Sequence, residues 1–283
     1  MSSFDDIFFD GKRLYGDDSS LDEIQKWYKE EKEAYAVLVR ERGHIYNYPC
    51  HSMNCYYGYR HINHVKRFPN ALGLGSAFGH EFLPIIERID NLTIVEPSKH
   101  LRSRKLGHLV PKYIEPNIDG SLDFLDDSFD LITCFGVLHH IPNVRFVLSE
   151  LVRVLRPEGF LLLREPIRTM GDWRLPRLGL TKNERGIPYT YFNKFFESRN
   201  VKIIKKSFCD SNYAYRLLNR FIKINRDTYL YQAFDSLISR MFQWNIHYHP
   251  RSMFQKKAPA SVFMLYRKMN RPLSPRCRAG HIR

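Results

Sequence analysis

From Ala71 to about Met170, short apolar runs alternate with amphipathic ones. ALGLG, FLPIIERI, LTIVE, a segment near Leu101–Leu106, YIEP, DLITCFG, a run around Val144–Leu155 and GFLLLREP succeed one another in that order. Strand-like runs without polar alternation, separated by helical ones, are what a parallel sheet covered on both faces produces. Right-handed crossovers between such strands predict a doubly wound α/β domain. Two further strand patterns, VKIIKKSF at 201–208 and SVFMLYRK at 261–268, read as a closing, hairpin-like pair of a seven-stranded, mostly parallel sheet. Between them lie two amphipathic stretches, roughly Asn212–Ile224 and Thr228–Trp244. Their aromatic residues are expected to pack inward, with lysines and arginines facing solvent. Ahead of the core, Ser20 and Glu23 have capping-box spacing, which predicts a helix from Leu21 to about Arg42. The stretch Gly43–His64 is aromatic and nearly aperiodic. The expected organisation is an extension and lid over 1–64, a core over 65–208, a basic helical insertion over 209–260, the last strand over 261–269 and a basic tail over 270–283.

Composition adds little to this picture until it is divided along the chain. The 283 residues are 43% hydrophobic and 26% charged, a balance that can bury a full core. No apolar run approaches the roughly 18 to 20 residues of a membrane-spanning helix, and the acidic amino terminus has no leader pattern. Five scattered cysteines do not suggest a disulfide framework. A cytoplasmic protein is therefore expected. Residues 1–198 hold 26 Lys and Arg against 27 Asp and Glu, whereas residues 199–283 hold 18 against three. A near-neutral body with a basic final third points to an acidic partner: an anionic membrane surface, to which the protein would be peripheral, or RNA.

The chemistry gathers around the first two strands. After Leu74, small residues at Gly75, Ala77 and Gly79 let the backbone turn tightly beside a nucleotide-like ligand. Twenty-one residues after Gly75 stands Glu96, at a strand end and followed by Pro97, where a carboxylate can accept both ribose hydroxyl protons. A diphosphate fits less well, because Phe78 and Glu81 crowd the start of the following helix. LGLGSAFGHE, IVEP, IDGSLDFLDDSFDLITCFGVLHHIPN and ELVRVLRPEGFLLLREP together resemble, in order, the motifs of the class I S-adenosylmethionine-dependent methyltransferases, over residues 68–166. The resemblance implies a Rossmann-like methyltransferase fold and S-adenosylmethionine as cofactor. It implies cofactor contacts at Gly73, Gly75, Ala77, Gly79, Glu96, Pro97, Asp119, Gly120, Phe135 and Gly136. Two positions depart from the family: Gly73 stands where an acid is usual, and Ala77 where a glycine is. The missing acid often organises the methionine ammonium, so that contact must come from water, backbone or another side chain.

Ligands of open α/β sheets sit at the carboxyl ends of the strands. That end receives His139 and His140 after the fourth strand, candidates for a general base because imidazole titrates near neutrality. His139 is preferred, with His140 as the alternate. Arg164 and Glu165 arrive with the fifth strand. Tyr57 and His61 belong to the Gly43–His64 lid, and Asp172, Trp173 and Arg174 form a polar, aromatic segment suited to a sugar or phosphorylated acceptor. That segment is also similar to the stretch beyond the core in enzymes of surface-glycan assembly. Cys50, His51, Cys55, His61 and His64 do not have the spacing of a zinc site, so no metal is expected. The expected activity is methylation of an oxygen on a carbohydrate or other small polar or anionic acceptor. An RNA methyltransferase is one alternative, although no base-methylation motif comes after the fourth strand. A cofactor-binding scaffold that has lost catalysis is the other.

Overall fold

The computed structural model describes residues 7–34, 36–37, 48–173 and 175–270. The amino-terminal helix α1 spans Leu21–Glu31, with both halves of the Ser20–Glu23 capping box formed. A short helix α2, His51–Tyr57, leads into a 3-10 turn over Tyr59–Ile62. The sheet is built from β1 (Phe68–Leu74), β2 (Ile89–Val95), β3 (Lys112–Ile114), β4 (Phe129–Phe135), β5 (Leu155–Pro166), β6 (Val201–Cys209) and β7 (Ser261–Lys268). The remaining helices are α3 (Val144–Val154), α4 (Tyr189–Glu197), α5 (Asn212–Asn219) and α6 (Tyr229–Phe242).

The seven strands run in the order β3-β2-β1-β4-β5-β7-β6. All neighbours are parallel except β7, which is antiparallel to both β5 and β6. The chain thus reverses strand order after β3, and the crevice this opens lies outside the ends of β1 and β4. Continuous apolar runs in the sequence are explained by burial on both faces. Leu72, Ile132, Leu161, Leu163 and Met264 join one core with α3 and α4. Their alternates Ala71, Leu131, Leu162, Phe263 and Leu265 join the other, beneath Tyr57, Ile62, Phe82 and Ile86. Period-2 alternation puts successive side chains on opposite faces, and here both faces are dry.

Three local expectations change. FLPIIERI forms consecutive 3-10 turns over His80–Arg88 instead of an α-helix, because Pro84 lies inside it and cannot donate to the i−4 carbonyl. The segment near Leu101–Leu106 holds only a single 3-10 turn, Lys99–Leu101, and a bridge between Leu106 and Leu109. Helix α1 ends at Glu31, with Ala34, Ala36 and Val37 helical again; residues 35 and 38–42 of that reading lie outside the described residues, as do 43–47, Arg174 and the tail from 271. The expected orientation of α6 is met in part: Tyr231 is buried, Phe234 and Phe242 are half-buried and Arg240 is exposed, but Tyr229 is exposed as well. In α6 the buried positions include Gln232, Asp235, Ser236 and Ser239, while Leu230, Leu237 and Met241 are exposed. Tyr231 and Ile238 are buried with these polar residues, so the inward face is mixed and part of the helix's apolar surface is left outside. Among the described residues, no helix is long and apolar enough to cross a membrane.

Candidate active site

A cavity of about 460 Å³ opens at the carboxyl ends of β1, β2, β4 and β5, and α1 together with Tyr48, Pro49 and Cys50 ahead of α2 closes its outer side. Its floor begins where β1 stops. Gly75 turns into the left-handed region at φ 61°, and a Cβ there would meet the Val137 side chain at 2.6 Å. Only glycine serves at that point. Ala77 comes next but one, also left-handed at φ 46°, and its backbone N–H donates to Glu96 Oε2 at 3.0 Å. The other Glu96 oxygen accepts from Ser98 N at 3.0 Å. Burial pushes this carboxyl up to about 7, against the two backbone N–H groups that favour its charged form. Glu96 thus stands fixed at the cavity wall, holding the turn after β1 to the end of β2.

A second carboxylate lines the same cavity. Glu81 is only 4% exposed, and its Oε1 accepts from Ser76 Oγ at 2.9 Å and from Thr133 Oγ1. Burial raises it to about 6, opposed by those hydroxyls and by the charge of Arg164. Thr133 is the register partner of Gly73 on the adjacent strand. A Cβ at Gly73 would stand 2.2 Å from Ser76 Oγ. The glycine that interrupts the family motif therefore makes room for the Ser76 hydroxyl, which holds a carboxylate supplied from eight residues later.

Several sequence-assigned residues do line the cavity: Gly75, Ala77, Glu96, Pro97, Gly120, Phe135, Gly136, His140 and Arg164. Others stand behind it. Gly73 faces Ser76 and Phe82, and Gly79 faces Ile94 and Leu106. Asp119 turns to its own loop, accepting from Ser121 N at 2.9 Å and Ser121 Oγ at 2.6 Å, while Asn117, Ile118 and Gly120 beside it reach the cavity. Tyr57 is buried under α6, donating to Asp235 Oδ2 at 3.0 Å. His61 is held next to Arg60 on a surface turn. Trp173 packs on Phe9 and Tyr15, with ring centroids 4.7 and 5.5 Å away, and so is no platform in the cavity. Asp172 is on the same half-exposed loop, and neither residue lines the cavity.

The histidine pair separates into two roles. His139 is buried behind the wall, its Nδ1 2.8 Å from Glu165 Oε2 and its Nε2 3.6 Å from Glu184 Oε1. Burial alone would lower its pKa, but these two carboxylates outweigh it and hold the imidazole at about 9. Glu184 is correspondingly drawn down to about 2, against its own burial. Glu165 is fully buried; its Oε1 accepts from the backbone N–H groups of Val137 and Leu138, both at 2.9 Å. It is a brace for the turn after β4 and does not reach the cavity. His140 does reach it, with Nδ1 3.0 Å from Glu31 Oε2 and 3.1 Å from Thr181 Oγ1. Burial and the adjacent His139 charge, with ring centroids 4.1 Å apart, lower its pKa. A charged histidine thus sits beside a neutral one at neutral pH. His139, His140 and Glu184 are also the only described residues whose His, Cys, Asp or Glu ligand atoms gather closely enough for a metal. The cysteines and histidines between Cys50 and His64 do not so gather.

Residues that sequence reasoning did not assign complete the enclosure. Trp27 and Tyr28 of α1 and Tyr48 line it, and Trp27 Nε1 donates to the His140 carbonyl at 2.8 Å. Arg185, fully buried, donates to the carbonyls of Tyr15, His139, Ile141 and Pro142 and so pins the turn carrying both histidines. The aromatic pair in the amphipathic helix α1 was the available signal for the first group. Nothing local in NERGIP marks Arg185, because its four acceptors come from two distant loops.

Residues 71–163 match the family described as a methyltransferase domain. Over 97 residues the chain is 32% identical to a Bacillus subtilis protein named uncharacterized methyltransferase YcgJ; the match covers 32% of this chain and 38% of that relative. The crystal structure of YcgJ has a TM-score of 0.50 at 18% identity, covering 76% of this chain and 98% of that one. A chain from the Haloferax volcanii complex of the Trm112 methyltransferase activator with a methyltransferase gives 0.53 at 12% identity, covering 85% and 99%. The [4+2]-cyclase SpnF gives 0.54 at 14%, covering 87% and 96%. At such identities the likeness of the structures is one of fold.

Proposed function

We propose that this chain, whose residues 71–163 are a methyltransferase domain of the class I S-adenosylmethionine-dependent kind, methylates an oxygen of a small polar or anionic acceptor such as a carbohydrate. The observation that carries the reading is a coincidence in one cavity of about 460 Å³: a glycine turn, a braced carboxylate at Glu96 and a neutral, carboxylate-oriented imidazole at His140. The residues present fit the cofactor. The volume lies within the usual range for a small-molecule site. Glu96 would hold the ribose hydroxyls, and the loop 117–120 and Phe135 would flank the base. Glu81 would face the methionine ammonium in place of the acid that position 73 lacks. Its negative charge at the start of the turn after β1 also disfavours a diphosphate ligand. Bound there, the cofactor supplies an electrophilic methyl group on a sulfonium.

The acceptor side is read from Arg164 and His140. Arg164 lines the cavity near Met53 and Asn54, with Nη1 3.4 Å from Met53 Sδ and 3.5 Å from Asn54 Oδ1. Its charge also favours the Glu81 carboxylate, and at the cavity wall the guanidinium would meet an acceptor's anionic group or hydroxyls. Glu31 accepts from His140 Nδ1, which fixes the tautomer of the neutral ring with its lone pair on Nε2, the atom through which a neutral imidazole would take up a proton. His139 is then a positioning residue, whose charge keeps its neighbour neutral; two titratable groups driven apart in this way mark an acid–base assignment. Calorimetry with S-adenosylmethionine and S-adenosylhomocysteine, followed by radiolabelled methyl transfer to sugars, sugar phosphates, lipids and RNA, tests the reading. Binding followed by transfer to a small polar acceptor supports it. Absence of cofactor binding refutes it, and transfer to RNA alone replaces it with the RNA alternative. Binding without transfer favours a scaffold.

A further inference from the structure

Helix α6 leaves an apolar stripe outside. Its inward face buries Tyr231 and Ile238 together with polar residues: Asp235 accepts from Tyr57 Oη at 3.0 Å, Asp210 N at 2.9 Å and Ser211 N at 2.7 Å, and Gln232 Nε2 donates to the Arg226 carbonyl at 2.7 Å. These bonds orient the helix, so its outward face is fixed rather than free to turn over. That face carries Leu230, Ala233, Leu237, Met241 and, just beyond the helix, Trp244, all exposed. Their spacing of three or four residues makes one continuous stripe. Leu230 is 79% and Trp244 is 70% exposed. The Trp244 ring lies 6.0 Å from Phe254, next to the exposed Met253. A patch of this kind on a protein surface marks something that covers it.

Charge selects the occupant. Arg216, Arg220, Lys223, Arg240 and Arg251 are exposed, and among the described residues none of them is in an ion pair. Arg240 belongs to α6 itself, next to Met241 of the stripe, so two copies meeting through this face would bring like charges together, which argues against a homodimer. Nucleic acid would call for flat rings on which bases stack, whereas the stripe is mainly Leu and Met, side chains suited to acyl chains. We infer that α6 and its flanks dock on an anionic lipid bilayer, the aliphatic stripe entering the interface and the surrounding cations meeting phosphate headgroups. The polar face of the same helix is bonded to α2, and Asp227 accepts from Ser52 N at 2.6 Å. Docking therefore acts on the helix that directly follows the cavity-lining residues Tyr48, Pro49 and Cys50. Docking of this kind is independent of which acceptor is methylated.

Trp244 reports on it directly, since Trp27 and Trp173 are both buried and the chain has three tryptophans. The full chain is mixed with phosphatidylcholine vesicles, with vesicles containing phosphatidylglycerol, and with a structured RNA, over a salt series. Expected are flotation with the anionic vesicles only, a blue shift of Trp244 emission that Trp244→Phe removes, and weakening as salt rises. Leu237→Asp with Met241→Asp should lower vesicle partition at least tenfold, while S-adenosylhomocysteine binding and the far-ultraviolet spectrum are unchanged. Binding of neither vesicle, equal binding by the double variant, preference for RNA, or a dimer that the double variant dissolves would each overturn the inference.

Discussion

Replacing Glu96 tests the centre of the site, because the structure specifies both the size of the effect and its pH dependence. A carboxylate offers about four acceptor positions, and Ala77 N and Ser98 N occupy two of them at 3.0 Å each. The two that remain suit a ribose diol. Hydrogen bonds to a charged acceptor are worth roughly 1.5–3 kcal/mol each, so two amount to about 3–6 kcal/mol. Water entering the space left by Glu96→Ala recovers part of this, and at least a tenfold loss of S-adenosylhomocysteine affinity is expected. Glu96→Gln is the sharper variant, since it keeps the volume but replaces one acceptor oxygen with a donor. The sign of the pH effect is set by a free-state pKa of about 7. Ligand hydroxyls favour the anion, so the bound pKa is lower and binding near neutrality expels a proton. Wild-type affinity should be flat above pH 7 and fall below it, approaching tenfold per unit. Calorimetry at pH 6, 7 and 8, in two buffers of different ionisation heat, measures both affinity and proton release. Melting curves confirm that the variants fold. A Gln variant within twofold of wild type, or a wild-type affinity that does not change from pH 6 to 8, would refute the assignment of Glu96 to the ribose.

Glu81→Gln should weaken S-adenosylhomocysteine about tenfold and leave methylthioadenosine, which has no amino-acid moiety, unaffected; equal losses for both would return Glu81 to a purely structural role. His140→Ala should lower turnover by about 10² or more with cofactor affinity nearly intact, whereas a near-normal rate would exclude it as the base. Because the folded pKa of His139 is raised to about 9, its contribution to stability is complete below about 6.5, the reference value for histidine, and lost as pH rises through 9. The difference in melting temperature between wild type and His139→Gln should therefore shrink across that window, and a constant difference from pH 6 to 10 would contradict the proposed ion pairs.

The sheet and the glycine turn after β1 are legible in the sequence. Unbroken apolar runs such as LITCF have one stable placement, between two dry faces, and the Gly75 turn and Glu96 are fixed by strand ends adjacent in a parallel sheet. These are local patterns or short separations constrained by one topology. The remaining features depend on which distant surfaces meet in the folded chain. Gly73 reads as a lost acid until Glu81 is seen packed beneath Ser76 and Thr133. His139 and His140 are adjacent in sequence, yet the first faces Glu165 and Glu184 and the second faces the cavity beside Glu31. Helix α6 has the periodicity of an ordinary surface helix, and periodicity shows only that two faces differ. The face that turns inward is the one that meets Tyr57, Asp210 and Ser211, whose hydrogen bonds to Asp235 are buried beside Tyr231 and Ile238, while Leu237 and Met241 stay outside.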